Sequence, residues 1–145
     1  MTRVLAAALL LAAAGCRTKR EERLGERVQV MEGLTLTQTV NGAKSWSLRA
    51  KTAELREDAK TALLTAPAME FYEKGKAVSL VTAKKGEIGV ESHEMLLSSS
   101  VVLDSFSDKS RLTTESLNYS PKTAMLTTTD EVLVKRPEGE LRGRG

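Results

Sequence analysis

Apolar and polar residues alternate along most of this chain, in short bursts. Residues 33–39 (GLTLTQT) put Leu34 and Leu36 on one side of an extended strand. Asn41 and Gly42 follow, and Trp46 and Leu48 resume the alternation. Asn-Gly between two alternating runs predicts a β-hairpin, because both turn residues take positive φ. The same period of two recurs at Met69–Phe71, at Val78, Leu80 and Thr82, at Ile88 and Val90, at Leu96, and at Val101 and Leu103. It recurs again at Leu112, Thr114, Leu117 and Tyr119, and at Val132 and Val134. Turn-forming stretches separate these bursts: residues 73–76 with Gly75 at the positive-φ position, 107–110, 120–122 and 137–139. Short strands at regular spacing with such turns predict an all-β sandwich, barrel or roll.

The bursts belong to a longer period. Residues 60–65 (KTALLT), 93–98 (HEMLLS) and 122–127 (KTAMLT) are near-copies of one another. An alternating stretch precedes each copy, at 45–55, 77–88 and 110–119, and a second follows, at 69–72, 101–105 and 132–136. About three repeats of ~30 residues result, and one such unit cannot bury an apolar face alone, so the units stack. The repeat decides one ambiguous segment. Residues 51–64 (KTAELREDAKTALL) are rich in helix formers. Their partners in the other repeats hold Gly86, Gly89, Ser92 and Pro121, so two strands joined by a turn near 57–60 are expected instead. A fourth repeat starts at 137–139 and stops after Leu141 and Gly143. A stack of open repeats leaves an edge strand at each end, and edges invite strand addition from another chain.

Composition narrows the function. Apolar residues make 41% of the chain but aromatic residues only 3%, so the core is aliphatic. The net charge of +3 comes with Lys and Arg interleaved among acids. No basic face is set up for nucleic acid. His93 is the only histidine and has no second His at helical spacing, so an HExxH metal site is absent. A Ser-His-Asp arrangement would have to use this one turn histidine. Asp104 and Asp108 read as solvated charges, and residues 86–89 (GEIG) are too sparse for a phosphate loop. No enzyme, metal or cofactor is expected.

The N-terminus carries an address. Arg3 precedes eleven uninterrupted apolar residues, 4–14, a run too short to span a bilayer. It ends in Ala13-Ala14-Gly15-Cys16, which resembles a bacterial lipobox, with Ala13 where Leu is commonest. The expected organisation is a signal peptide at 1–15, a polar tether at 16–29 and one β-domain at 30–145. Cys16 would carry the lipid, and acyl chains give stable anchoring when two or more are present. An ordinary cleaved signal with an incidental cysteine is the alternative. The basic residues of the tether are either a headgroup contact or a solvated linker.

From about residue 28 to 145 the sequence resembles the LptC family, the periplasmic component of lipopolysaccharide export, within the OstA-like superfamily. The resemblance rests on residues 46–50 (WSLRA), 70–75 (EFYEKG), 112–119 (LTTESLNY) and 128–132 (TTDEV), with Gly139, Leu141 and Gly143 at the close. It implies an open, twisted antiparallel β-jelly roll whose interior is a slide for the acyl chains of lipopolysaccharide. Lipid-facing positions would be Leu48, Ala50, Phe71, Val78, Leu80, Ile88, Leu96, Leu103, Leu112, Leu117, Val132 and Val134. A packed core is the other role open to the same residues. The resemblance also implies docking to the inner-membrane lipopolysaccharide ABC transporter. A periplasmic bridge protein of the same fold would pair with the edge at Gly139, Leu141 and Gly143. Family members usually carry a transmembrane helix where this chain has a lipobox. The expected location is the periplasm, lipid-anchored to the inner membrane, with the outer membrane open because Arg17 follows Cys16. The rival reading is an envelope adaptor with a closed core and no lipid.

Overall fold

The structure is a computed structural model and describes residues 28–56 and 60–145. The signal, Cys16 and most of the tether lie outside the described residues, as does the greater part of the turn expected at 57–60. The strands run as eight passes across the molecule: β1 (Val28–Val40), β2 (Ala43–Arg56), β3 (Thr61–Thr65) with β4 (Ala68–Glu73), β5 (Lys76–Thr82) with β6 (Lys85–Gly89), β7 (Met95–Ser105), β8 (Arg111–Ser120), β9 (Met125–Thr127) with β10 (Glu131–Arg136), and β11 (Gly139–Arg144). Each pass pairs antiparallel with the next, so all eleven strands form one sheet. The architecture is all-β, as the alternation predicts, and jelly-roll-like, as the resemblance implies. β1 starts at Val28, inside the stretch expected to be tether, and β11 adds a strand beyond Val132–Val134.

The passes before β11 bend near their middles, and the bends line up into one fold line. Opposite the first half of β2 lies β4, and opposite its second half lies β3. β7 is likewise shared between β6 and β5. The sheet therefore doubles over into two arms. Passes bend through residues with positive φ: Gly33 (68°) in β1, Ala66 (49°) between β3 and β4, and Ser99 and Ser100 (65° and 57°) inside β7. Such a residue acts as a bulge, releasing the ladder locally and turning the strand. Ala66 and Ser99 hold the same place in successive repeats, one residue after the KTALLT-type segment. The ladder resumes across the bend through Ala66 N–H to Lys84 O (2.9 Å) and Lys84 N–H to Ser99 O (3.0 Å). Near the third bend the Thr114 hydroxyl donates to Glu131 O (3.0 Å), and the Ser116 hydroxyl bonds the Asp130 carboxylate.

The bend also shifts which residues face inward. In β2 the buried set is Trp46, Leu48 and Ala50 before the bend, then Ala53 after it. The core fills the angle between the arms. Leu48, Met69, Val81 and Val101 from one arm meet Leu64, Leu97 and Leu117 from the other, all at most 4% exposed. Burying one such side chain stabilises the fold by about 1.5–3 kcal/mol.

Candidate functional site

Residues directly opposite each other on antiparallel neighbours share a sheet face. Following the register across the first arm gives a single inner row: Leu36, Leu48, Met69, Val81, Leu103, Leu112, Val134 and Leu141. Each of the eight passes contributes one aliphatic side chain. At ~4.8 Å per strand the row is roughly 34 Å long. Its cover changes along its length. Leu48, Met69 and Val81 are wholly buried beneath the second arm, and Leu36, Leu103, Leu112 and Val134 are half-buried. Leu141 is 64% exposed. The second arm ends at β9 while β10 and β11 continue the first, so the inner face emerges from the packed middle as an uncovered trough.

A parallel row lies nearer the fold line. Ala50, Val101, Thr114, Val132 and Gly143 belong to it. On the facing arm, Ile88, Met95, Leu97, Leu117 and Tyr119 are buried inward. The structure thus brings Leu48, Ala50, Phe71, Ile88, Leu103, Leu112, Leu117, Val132 and Val134 to the inner face. Gly139, Leu141 and Gly143 lie on β11, whose only partner among the described residues is β10, and their register puts them on the inner face as well.

Two expected interior residues, Leu80 and Leu96, are corrected. Leu80 pairs with Glu70 on one side and Asp104 on the other, in the outer row Thr37, Ser47, Glu70, Leu80, Asp104, Arg111, Lys135 and Glu140. That row carries ion pairs: Arg49 to Glu70 (2.6 Å), Arg111 to Asp104 (2.6 Å) and Lys135 to Glu140 (4.0 Å). Leu80 therefore points outward. Val78 lies across the bulge at Phe71/Tyr72 from Leu80, beside Ala77, the partner of outward Tyr72, and does not share the Leu80 phase. Leu96 lies between Glu87 and Asn118 on the outer face of the second arm and is 39% exposed. The reason is local. In residues 77–82 (AVSLVT) both phases of the alternation hold aliphatic residues. The pairing of Met69 with Val81, set by the Lys74–Gly75 turn and the bulge at Phe71/Tyr72, selects Val81 for the inside. Met69, Val81 and Leu36 are the row members the sequence left unmarked.

Opposite the fold line the two arms touch through aromatic side chains. The Trp46 ring meets Tyr119 (centroids 6.4 Å, 79°) and His93 (6.3 Å, 77°), and Phe71 meets Tyr119 (5.1 Å, 69°). All three contacts are edge-to-face, the favoured geometry for such pairs. Burial among them raises the Tyr119 pKa, because the phenolate would lose its hydration. Tyr72, on the outer face, is raised chiefly because its hydroxyl donates to Glu70 (2.6 Å). Among the described residues no group of three or more His, Cys, Asp and Glu is placed to hold a metal ion. No helix among them is long and apolar enough to cross a membrane.

Residues 4–145 match the family described as lipopolysaccharide-assembly, LptC-related, over nearly the whole sequence. The chain belongs to this family. Its function lies in lipopolysaccharide transport, and the LptC-related family is a transport component of the cell envelope, not an enzyme family. No curated protein matches the chain.

Proposed function

We propose that this LptC-related protein accepts lipopolysaccharide from the inner-membrane ABC transporter and passes it to a periplasmic bridge protein of the same fold, while a lipid on Cys16 holds it at the membrane. The observation that carries this reading is the inner row from Leu36 to Leu141. It is aliphatic at every pass, and its half-covered end offers apolar contact without a shaped pocket, which suits acyl chains. The row also reaches both edge strands, β1 and β11. A strand of the same fold added at an edge would extend the row into the next molecule. Gly139, Leu141 and Gly143 would make that edge.

The adaptor reading keeps one observation in its favour: the middle of the row is filled by side chains of the second arm. Photo-crosslinking separates the two. A photoreactive residue at Val134 or Leu103, with Leu80 as the outward control, is mixed with lipopolysaccharide and irradiated. Capture at the inner positions and not at Leu80 is the expected result. No capture at either inner position by a folded protein would leave the adaptor.

A further inference from the structure

The chain has one Trp, two Tyr, two Phe and one His. Trp46, Phe71, Tyr119 and His93 converge on the seam where the arms meet. Trp46 and Phe71 stand on one arm, four or five residues from the bends at Ala50–Lys51 and Ala66–Pro67; Tyr119 and His93 stand on the other. So few aromatic residues drawn to one line mark that line as special.

What holds the seam differs from what holds the rest. Among the described residues, backbone hydrogen bonds join only neighbouring passes, and none crosses from rim to rim. Closure at the seam is by ring contacts. The bends at Gly33, Ala66, Ser99 and Ser100 lie on the opposite side, so the arms can part there without breaking a strand pairing. A cleft of about 280 Å³ already indents the seam, lined by Leu36, Thr37, Gln38, Thr39, Trp46 and His93. Leu36 is the first member of the inner row, so this cleft leads onto it.

We infer that acyl chains enter sideways, through the aromatic seam, with Trp46, Phe71, Tyr119 and His93 as its movable closure. The inference rests on the lipopolysaccharide-carrier reading above. A chain threaded from the open end would have to displace Leu103, Val81 and Met69 in turn along a packed line. A chain entering at the seam lies along the row at once, and its charged headgroup never leaves water. That distinction matters because burying an unpaired charge is far costlier than exposing an aromatic edge.

The test locks the seam in the full chain. Cys16→Ser removes the native thiol, and Phe71→Cys with Tyr119→Cys places one thiol on each rim. A short cleavable bismaleimide joins them, a photoreactive residue at Leu103 reports lipid, and lipopolysaccharide is the probe. Before bridging, capture is expected to be faster than in the parent, since two closing rings are gone. Bridging is expected to cut capture at least tenfold, and cleaving the bridge to restore it. Undiminished capture by the bridged protein means end-on entry; the inference falls and the carrier reading stands. Absence of capture in the parent and in both forms removes the carrier reading and the inference with it. Failure of the reagent to join two titratable thiols means that the rims are apart in solution, and this too overturns the closure.

Discussion

The inner row makes a quantitative demand on stability, because chemically similar side chains occupy it under different cover. Leu48 is wholly buried between Leu36 and Met69 and under the second arm. Leu48→Ala removes its buried transfer free energy and leaves a hole that neighbours anchored in a sheet fill poorly, a cost of about 3–4 kcal/mol. Leu112, half-buried, should lose about 1.5 kcal/mol on the same change. Leu141, 64% exposed on the edge strand, should lose less than about 0.5 kcal/mol. A domain of this size is stable by about 5–15 kcal/mol, so even Leu48→Ala should still fold.

Urea titration followed by tryptophan emission reads this directly, because Trp46 is the only Trp and is 1% exposed in the folded protein. With m of about 2 kcal/mol/M, the Leu48→Ala midpoint falls by about 1.5–2 M and the Leu141→Ala midpoint by less than about 0.3 M. The m value should not change. A loss below about 1 kcal/mol for Leu48→Ala would mean that the interior is loose throughout. Equal losses at Leu48 and Leu141 would mean that the β10–β11 face is covered. Either result refutes the picture of a packed middle opening into a trough.

Gly86 sits so tightly that an added Cβ would lie 3.1 Å from Pro67 Cγ and 3.2 Å from Leu97 Cδ2. Gly86→Ala should therefore destabilise by about 1–3 kcal/mol in the same titration. Thr114 is 8% exposed, and its hydroxyl bonds the Glu131 carbonyl. Thr114→Val should cost about 1 kcal/mol and loosen β10 first, seen as faster amide exchange at residues 131–136. Both Tyr119 and Tyr72 have pKa values raised above 10.0 in the fold. The native state therefore holds their protons longer than the unfolded chain does. Stability should be complete below pH ~10 and decline as pH rises through the folded values. Tyrosinate absorbance should rise late in the folded protein, and Glu70→Gln should bring the Tyr72 component earlier while leaving that of Tyr119.

Much of the fold was legible because turns and repeats are written locally. Asn41 and Gly42 take φ of 51° and 78°, and Gly75 takes 76°, as their hairpins require. The helix-forming residues of 51–56 are extended because β1 and β3 flank them on both sides, so tertiary pairing overrides propensity. The bends were not legible. Ala66, Ser99 and Ser100 adopt positive φ without being Gly or Asn, and nothing in their side chains announces it. Crossing a bend shifts the inward phase, so an alternation read straight through it assigns the residues beyond to the wrong face. Leu80 failed for a different reason: a strand half-buried on both faces carries aliphatic residues in both phases, and only the partner strand decides between them.

The same bends explain how one sheet could serve both as core and, on the proposed reading, as path. A flat sheet of eight passes would leave its whole apolar face in water. Doubling over buries the middle, but the second arm is the shorter one and stops at β9. The packing that stabilises the fold therefore weakens toward β11, and the lipid contact proposed there would not compete with core packing. At the β1 end the row stops beneath the aromatic seam instead, where rings and not strands make the closure. The inner face is thus permanently open at one end and closable along one side. On the proposed carrier reading, lipid contact would fall to the residues whose loss the fold tolerates best, while folding falls to Leu48, Met69 and Val81. Variants that block transport without unfolding the protein should therefore cluster at Leu103, Leu112, Val134, Leu141 and the seam.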